Sequence, residues 1–333
     1  MKTKDFDYSL PEELIAQHPA ERGKSRLLVL YKDTGKIEHT IFERITDFLN
    51  EKHILVLNET KVIKARFFGK RKTGGKVEIF LLHKLNNKRW RALARPSKKL
   101  KEGERIKIAD GFEIEIKGEE EGKKIVEFLT ELDEKEAIER YGKVPLPPYI
   151  RREAEKDDEE RYQTVYAKEE GSVAAPTAGL HFTQEILKKL EEKGVKILKI
   201  TLHIGLGTFK PIKTENVENH KMEEEFYKIK KEVWDEIMKS RDKKIIAVGT
   251  STVRALESCI RTGKLESWTD LFIYPGFEFR IIDGMVTNFH LPCSTPLLLV
   301  CALAGKDKIM RAYKEAIKRK YRFYSYGDAM LIL

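Results

Sequence analysis

From Val77 to Ile116 apolar side chains recur at every second position in short runs, and each run is stopped by residues that turn a chain. Val77, Ile79 and Leu81 alternate, as do Trp90, Ala92 and Ala94, then Ile106 and Ile108, then Phe112, Ile114 and Ile116. The breaks carry Gly74-Gly75, Asn86-Asn87, Lys101-Glu102-Gly103 and Asp110-Gly111. A period of two turns one face of each strand into a core, and closely spaced strands with turn chemistry between them predict a small all-β barrel or sandwich. Charge concentrates in the same stretch. Between Lys61 and Lys107, 17 Lys or Arg face three acids, a local charge of +14 against +10 for the whole chain. The remainder is therefore mildly acidic. A cationic face of this kind fits a polyanion, because each neutralised phosphate releases counterions.

Outside that stretch the pattern changes. Ile54-Leu55-Val56-Leu57 reads as a buried strand running into the polar Asn58-Glu59-Thr60. Pro145-Leu146-Pro147-Pro148 reads as a stiff linker, and residues 151–161, almost all charged, as an exposed mobile loop. Beyond about residue 163, strands and helices alternate. Thr183 is placed to cap a helix in which Phe182 packs on Leu187, and Gly194 stops it. Residues 195–204 read as a strand. Ile245-Ile246-Ala247-Val248 is a second one, followed at once by Gly249-Thr250-Ser251-Thr252 and a helix to Ile260. A further strand is predicted over 271–274, and Pro296 opens another helix. Alternation of this kind points to an α/β core. The 333 residues thus divide into a mixed strand–helix α/β core, 1–63 plus 149–333, and an inserted basic all-β domain, 64–148.

Several classes are excluded on the same footing. The three cysteines, Cys259, Cys293 and Cys301, include no CxxC pair, which argues against a disulfide framework and against zinc. His181, His203, His220 and His290 lie in no metal-ligand spacing, so no metal is expected. The start of the chain has no apolar signal core, and the longest apolar run, 297–304, is far short of the roughly 18 residues a membrane span needs. The expectation is a cytoplasmic monomer with no membrane contact and no obligate protein partner. No Walker A, GxSxG or HExxH pattern occurs.

Chemistry has four places to sit, all loops of small and polar residues. Residues 172–181 let a ligand approach the backbone, with Thr177 and His181 supplying polar groups. Residues 203–209 contain Gly205-Leu206-Gly207-Thr208, but Lys210 stands where a dinucleotide fingerprint needs its third glycine. Residues 249–254 put hydroxyls and free amides at a helix N-terminus, a natural seat for a carboxylate or phosphate, with Arg254 one turn in. Residues 288–296 form a polar turn before a helix. Each also has a plainer reading: Ser and Thr at helix starts are commonly caps, and a single histidine at a strand end is commonly structural. The same holds for the C-terminal run of Tyr313, Tyr321, Phe323, Tyr324 and Tyr326 among cations. It suits stacked RNA bases or a protein core equally.

At these loops the sequence resembles a known family. Phe6-Asp7-Tyr8, Leu10-Pro11, Ser25-Arg26-Leu27-Leu28, Asn58-Glu59-Thr60, Ala65-Arg66 and Pro145-Leu146-Pro147-Pro148-Tyr149-Ile150 are similar to the S-adenosylmethionine:tRNA ribosyltransferase-isomerases of queuosine synthesis. The runs 161–167, 171–182, 201–209, 247–258, 274–276, 287–295 and 321–330 extend the resemblance over essentially the whole chain in order. It implies a barrel-like α/β core carrying an inserted β domain. It also implies transfer and isomerisation of the ribosyl part of S-adenosylmethionine onto 7-aminomethyl-7-deazaguanine at the wobble position of tRNA, giving epoxyqueuosine-tRNA with release of adenine and methionine. S-adenosylmethionine is then a consumed substrate, and no further cofactor is implied.

Carried onto this chain, the resemblance makes His181, His203 and Glu225 candidates for proton transfer. Thr177, Gly179, Gly205, Gly207, Thr208, Thr250, Thr252, Arg254, Asn288 and His290 become candidates for holding S-adenosylmethionine, with Arg254, Thr250 and Thr252 on the methionine carboxylate. Arg66, Lys70, Arg71, Lys72, Arg95, Lys98, Lys99, Arg319 and Arg322 become candidates for tRNA. One departure stands out: in His220-Lys221-Met222-Glu223-Glu224-Glu225 the family's second histidine is replaced by Glu223. Cys293 stands where a lysine is common. Two other readings of the chain are a non-catalytic tRNA-binding protein and an S-adenosylmethionine-dependent RNA methyltransferase, which would yield S-adenosylhomocysteine.

Overall fold

Asn58 fixes the geometry on which the larger part of the chain is built. Its side chain donates to Leu202 O (2.9 Å) and accepts from Leu202 N (3.0 Å), so two strand ends are held level by one buried amide. The computed structural model describes residues 1–205, 207 and 211–333. The chain forms two compact units: Met1–Lys61 with Pro147–Arg152 and Glu160–Leu333, and Val62–Leu146 with Glu153–Glu159.

In the first unit a nine-stranded mixed sheet runs in the order Glu266–Thr269, Glu225–Lys228, Lys196–Leu202, His53–Asn58, Lys244–Val248, Gly284–Asn288, Ala329–Ile332, Arg26–Leu30, Ile37–Ile41. The middle four, Lys196–Leu202 to Gly284–Asn288, are parallel to one another. Strands buried on both faces need continuous apolar runs, which is what Ile54-Leu55-Val56-Leu57 and Ile245-Ile246-Ala247-Val248 supply. Alternate residues serve the two faces. Ile54, Val56, Ile245 and Ala247 pack with the helix Thr250–Thr262 and the apolar helix Thr295–Ala304. Leu55, Leu57, Ile246 and Val248 pack with the helix Gln184–Glu192. Thr183 caps that helix by accepting from Ile186 N (3.1 Å), and Gly194 follows it at φ +80°, as the sequence predicts.

The second unit is a closed six-stranded antiparallel barrel. Its order is Lys123–Thr130, Arg89–Arg95, Lys76–Asn86, Arg66–Arg71, Arg105–Ala109, Phe112–Glu120. The alternating residues are buried as expected except Ile108, which is half-buried beside an irregularity in its strand, and Phe67, Phe112 and Phe128 meet edge to face at the barrel's centre, 5.1–5.9 Å apart. Most outward-facing cations stay exposed.

Two expectations change, and one open alternative is decided. Residues 271–274 are not a strand. The strand is Glu266–Thr269, and Thr269 Oγ1 then accepts from Leu271 N (3.1 Å), so the following apolar run turns away from the sheet. The charged stretch 151–161 is not free of structure: Asp158 is buried, accepts from Glu155 N (2.8 Å) and opens the short helix Asp158–Arg161. Tyr313, Tyr321, Phe323, Tyr324 and Tyr326 are buried, and Phe289 packs against the first three, so of the two readings of this run the core one holds for those three, while Tyr324 reaches the cleft described below. Among the described residues no helix is long and apolar enough to cross a membrane; the run 297–304 lies within the buried helix Thr295–Ala304.

Glu257, fully buried on the helix Thr250–Thr262, accepts from the backbone N–H groups of Arg280 (3.0 Å) and Ile281 (3.1 Å) and pairs with Arg261. It thereby seats the segment that leads into the strand Gly284–Asn288. Removing this carboxylate orphans several buried donors together, so Glu257→Ala is expected to destabilise the unit by about 3 kcal/mol or more. Thermal unfolding followed by circular dichroism reads this directly; a midpoint equal to that of the unsubstituted chain would refute the role.

Candidate active site

The four parallel strands end at Leu202, Asn58, Val248 and Asn288, and the chain opens into a cleft at those carboxyl ends, where α/β sheets place their ligand sites. The cleft encloses ≈ 880 Å³, its open mouth included. All four polar loops singled out in the sequence give residues to its walls: Thr177 with its neighbours, Ile204, Thr250 and Ser251, and Asn288 with His290.

At residue 249 the backbone takes φ +89°, a conformation costly for any residue with a Cβ, and the helix Thr250–Thr262 begins at the next residue. Thr250 and Ser251 face the cleft from the helix N-terminus, and Ser251 Oγ accepts from Asn58 Nδ2 (3.2 Å). Thr252 does not face it. Its hydroxyl is buried and donates to Val248 O (2.7 Å), an ordinary back-bond within the helix start.

Arg254 and Glu225 form the charged centre. Both line the cleft, yet they are only 6% and 3% exposed. The Arg254 guanidinium donates to Leu271 O (3.0 Å), to Thr269 O (3.1 Å) and to the Glu225 carboxylate, with which it is in close contact. Glu225 also accepts from Gly205 N (2.8 Å). Burial raises the Glu225 pKa above the usual carboxylate range; Arg254 and the Gly205 amide pull it down, and the nearby Glu223 pushes it up again. Glu223, the residue that replaces a histidine, also packs against Gly207, where a Cβ would come within 3.3 Å of its side chain.

The histidines separate. His290 lines the cleft, with Nε2 bonded to the Thr287 hydroxyl (2.6 Å), its backbone N–H donating to Tyr313 (2.9 Å) and its carbonyl accepting from Tyr8. Burial pushes its pKa down to about 3, so it stays neutral. His203 has Nδ1 bonded to the Thr60 hydroxyl (2.8 Å) and its ring stacked on Phe226, on the opposite face of that strand from Glu225. His181 is buried one layer behind the cleft. Gly179 also serves packing, since a Cβ there would collide with the Tyr166 hydroxyl. Thr208 lies outside the described residues.

Sequence reasoning missed the apolar walls. Phe272, Phe289, Leu291, Tyr149 and Tyr324 line the cleft, and Tyr149 donates to or accepts from Ser325 Oγ (2.6 Å). For Phe272 the only signal was apolar character, which a core residue shares, while Phe289 and Leu291 lie in the polar loop 288–296, Tyr149 in the family-like run 145–150 and Tyr324 in the C-terminal aromatic run, none of which separates a cleft wall from the core. Among the described residues no group of three or more His, Cys, Asp or Glu side chains comes together as a metal ion would require.

In the barrel unit Lys70, Lys72, Arg95, Lys98 and Lys99 are exposed, whereas Arg71 is held by Glu104 and Arg66 by Glu78 and Leu146 O. In the first unit Arg319 is exposed and bonded to Glu315, and Arg322 is tied to Asp328 (3.2 Å).

Comparison with known proteins gives one answer. A family model described as queuosine biosynthesis protein matches residues 3–332. A relative from Sulfurihydrogenibium sp. (strain YO3AOP1), named S-adenosylmethionine:tRNA ribosyltransferase-isomerase, is 52% identical with both chains covered in full. One of the same name from Halothermothrix orenii is 51% identical, again over both full lengths. The crystal structure of an S-adenosylmethionine tRNA ribosyltransferase from Thermotoga maritima superposes with a TM-score of 0.57 at 40% identity, covering 99% of this chain and 100% of that one.

Burial depresses the His181 pKa from its ordinary value to about 4, with smaller opposing effects of Asp328, which raises it, and of Arg322 and Arg22, which lower it. A depressed imidazole means that the unfolded chain binds the proton more readily. The stability it confers is intact above an ordinary imidazole pKa of about 6.5 and is lost as pH falls toward 4. Unfolding free energies from denaturant titrations across that window are therefore expected to fall less steeply for His181→Gln than for the unsubstituted chain, by roughly 3 kcal/mol over the interval. Parallel pH curves would contradict a buried neutral imidazole.

Proposed function

The chain belongs to the queuosine biosynthesis protein family, and we infer that it transfers and isomerises the ribosyl part of S-adenosylmethionine onto tRNA. The acceptor is 7-aminomethyl-7-deazaguanine at the wobble position, the product epoxyqueuosine-tRNA, and adenine and methionine leave. The observation that carries the chemical part of this reading is the Glu225 carboxylate. It is buried in a cleft at the strand ends, raised in pKa and fixed in direction by Arg254 and the Gly205 amide.

The reaction makes separate demands. A sulfonium acidifies the ribose carbon beside it, so a positioned base must take that proton. A carboxylate lifted by burial suits the task, because its proton affinity moves toward that of the carbon acid while its orientation is already set. Glu225 is the group assigned to it. Arg254 directs three of its five N–H donors to Glu225 and to two backbone carbonyls, so it orients the base. The methionine carboxylate then falls to Thr250, Ser251 and the free amides at the start of the helix Thr250–Thr262, where the helix dipole favours negative charge. The apolar walls, Phe272, Phe289 and Leu291, suit the adenine ring and exclude water from the reacting atoms.

The tRNA is assigned to the barrel unit's exposed cations, Lys70, Lys72, Arg95, Lys98 and Lys99. Their side chains reach phosphates without having to leave an ion partner buried. The stretch they occupy holds more positive charge than the chain's whole net excess.

Incubation with S-adenosylmethionine and tRNA bearing 7-aminomethyl-7-deazaguanine tests the reading by chromatography of the small products. Adenine and methionine are expected in equal amounts, and only with that tRNA. Formation of S-adenosylhomocysteine, or tRNA binding with no small product, would overturn it.

A further inference from the structure

His181 sits among the residues that the sequence marks for proton transfer, yet the structure gives it no open nitrogen. Its Nδ1 is 2.7 Å from Ser25 Oγ and its Nε2 is 3.2 Å from Asn288 Nδ2. The ring is stacked on Phe42, with centroids 5.0 Å apart and planes 29° apart, and the residue is buried. It does not line the cleft; Asn288, directly in front of it, does.

The proton positions follow from the partners. Asn288 Nδ2 also lies 3.1 Å from the carbonyl oxygen of Tyr324, which can only accept. That fixes Nδ2 as the amide's donor end, so His181 Nε2 must accept from it. A neutral imidazole with Nε2 bare carries its hydrogen on Nδ1, and Nδ1 donates to Ser25 Oγ. Tyr324 is itself held at φ +70°, a left-handed conformation that costs an aromatic residue free energy and that places its carbonyl where the amide can reach it. Two acceptors thus turn the Asn288 amide the same way. What they leave over is Asn288 Oδ1, buried and without a hydrogen-bond partner among the described residues. A buried amide oxygen left bare is costly, and natural sites seldom keep one without use.

We propose that His181 is a neutral positioning residue which, together with the Tyr324 carbonyl, aims Asn288 Oδ1 at an N–H donor of the bound substrate. This rests on the function proposed above and assigns a role within that cleft. The donor is an amino group of S-adenosylmethionine or the aminomethyl group of the modified base, since both offer N–H to a carbonyl oxygen. His181 itself transfers no proton. The charged groups facing His181 are Asp328, Arg322 and Arg22, and Arg322 and Asp328 are already paired with each other.

The test is a double-mutant cycle on the full chain, with His181→Phe, Asn288→Ala and both together, read as S-adenosylmethionine affinity by equilibrium dialysis without tRNA and as KM and kcat for tRNA. Each single substitution is expected to weaken one of these substrates by about tenfold to a hundredfold. The pair should be no worse than Asn288→Ala alone, because His181 acts through that amide. A change in S-adenosylmethionine affinity assigns the donor to that substrate; a change confined to the KM for tRNA assigns it to the base. His181→Gln, whose amide oxygen can still accept from Asn288, should recover most of the loss with an unaltered pH–rate profile, and it keeps the test open should the phenylalanine variant fold poorly. Multiplying defects, unchanged substrate affinities in both single variants, or loss of one limb of the pH profile in His181→Gln would overturn the inference. An unsubstituted chain that neither binds S-adenosylmethionine nor releases adenine would instead sink the proposed function.

Discussion

Glu225 and Arg254 are charged groups with almost no access to water, and the arrangement around the cleft depends on their pairing. Taking either into the interior alone would cost several kcal/mol, so each is tolerable only beside the other and with its remaining valences filled. The filling is what organises the site. Arg254 takes the carbonyls of Leu271 and Thr269, which brings the edge strand Glu266–Thr269 and the apolar segment after it against the helix Thr250–Thr262. Glu225 takes the amide of Gly205, which brings the glycine loop in from the other side. One ion pair therefore ties together two strands, a helix and two loops that are remote in sequence. The same pairing leaves a carboxylate that is desolvated, raised in pKa and fixed in direction.

Side-chain amides do similar work at the neutral end of the cleft. Asn58 holds the ends of two parallel strands level and reaches Ser251 at the helix start, while Asn288 closes the last parallel strand and meets the C-terminal segment through Tyr324. Both sit at carboxyl ends of strands, where backbone groups run out of ladder partners and an amide can supply a donor and an acceptor together. Glu257 does the equivalent with charge, gathering the amides of residues 280 and 281 just before the strand that delivers Asn288. Polar side chains buried in this unit thus fix where loops start, and apolar packing fixes how the sheet is covered.

How much of this was legible in the sequence follows from range. Period-two alternation announced the barrel strands, and the apolar runs 54–57 and 245–248 announced buried parallel strands, because those signals are local. The strands Arg66–Arg71 and Lys123–Thr130 were not picked out, since their apolar positions are diluted by lysine, glycine and glutamate. Residues 271–274 looked like a strand because they are apolar, but they are apolar to wall the cleft, and no local pattern separates those reasons. The C-terminal aromatics posed the same ambiguity and resolved as core, apart from Tyr324, which walls the cleft. The polar loops were found from small residues at strand ends, but direction was not: that Thr252 turns back to Val248, that His181 is screened by Asn288, and that Arg254 spends its donors on Glu225 are facts of long-range geometry. Family resemblance supplied the substrates, which no spacing in the chain could give.

The central claim is that the buried Glu225 carboxylate takes the proton from the ribose carbon beside the sulfonium. S-adenosylmethionine deuterated at that carbon reports the step itself, through loss of label to solvent followed by mass spectrometry in the presence of the modified tRNA. The account predicts label loss with the unsubstituted chain. It predicts loss slower by about a hundredfold or more with Glu225→Gln, while S-adenosylmethionine still binds. Label lost equally fast from both would place the base elsewhere and contradict the account.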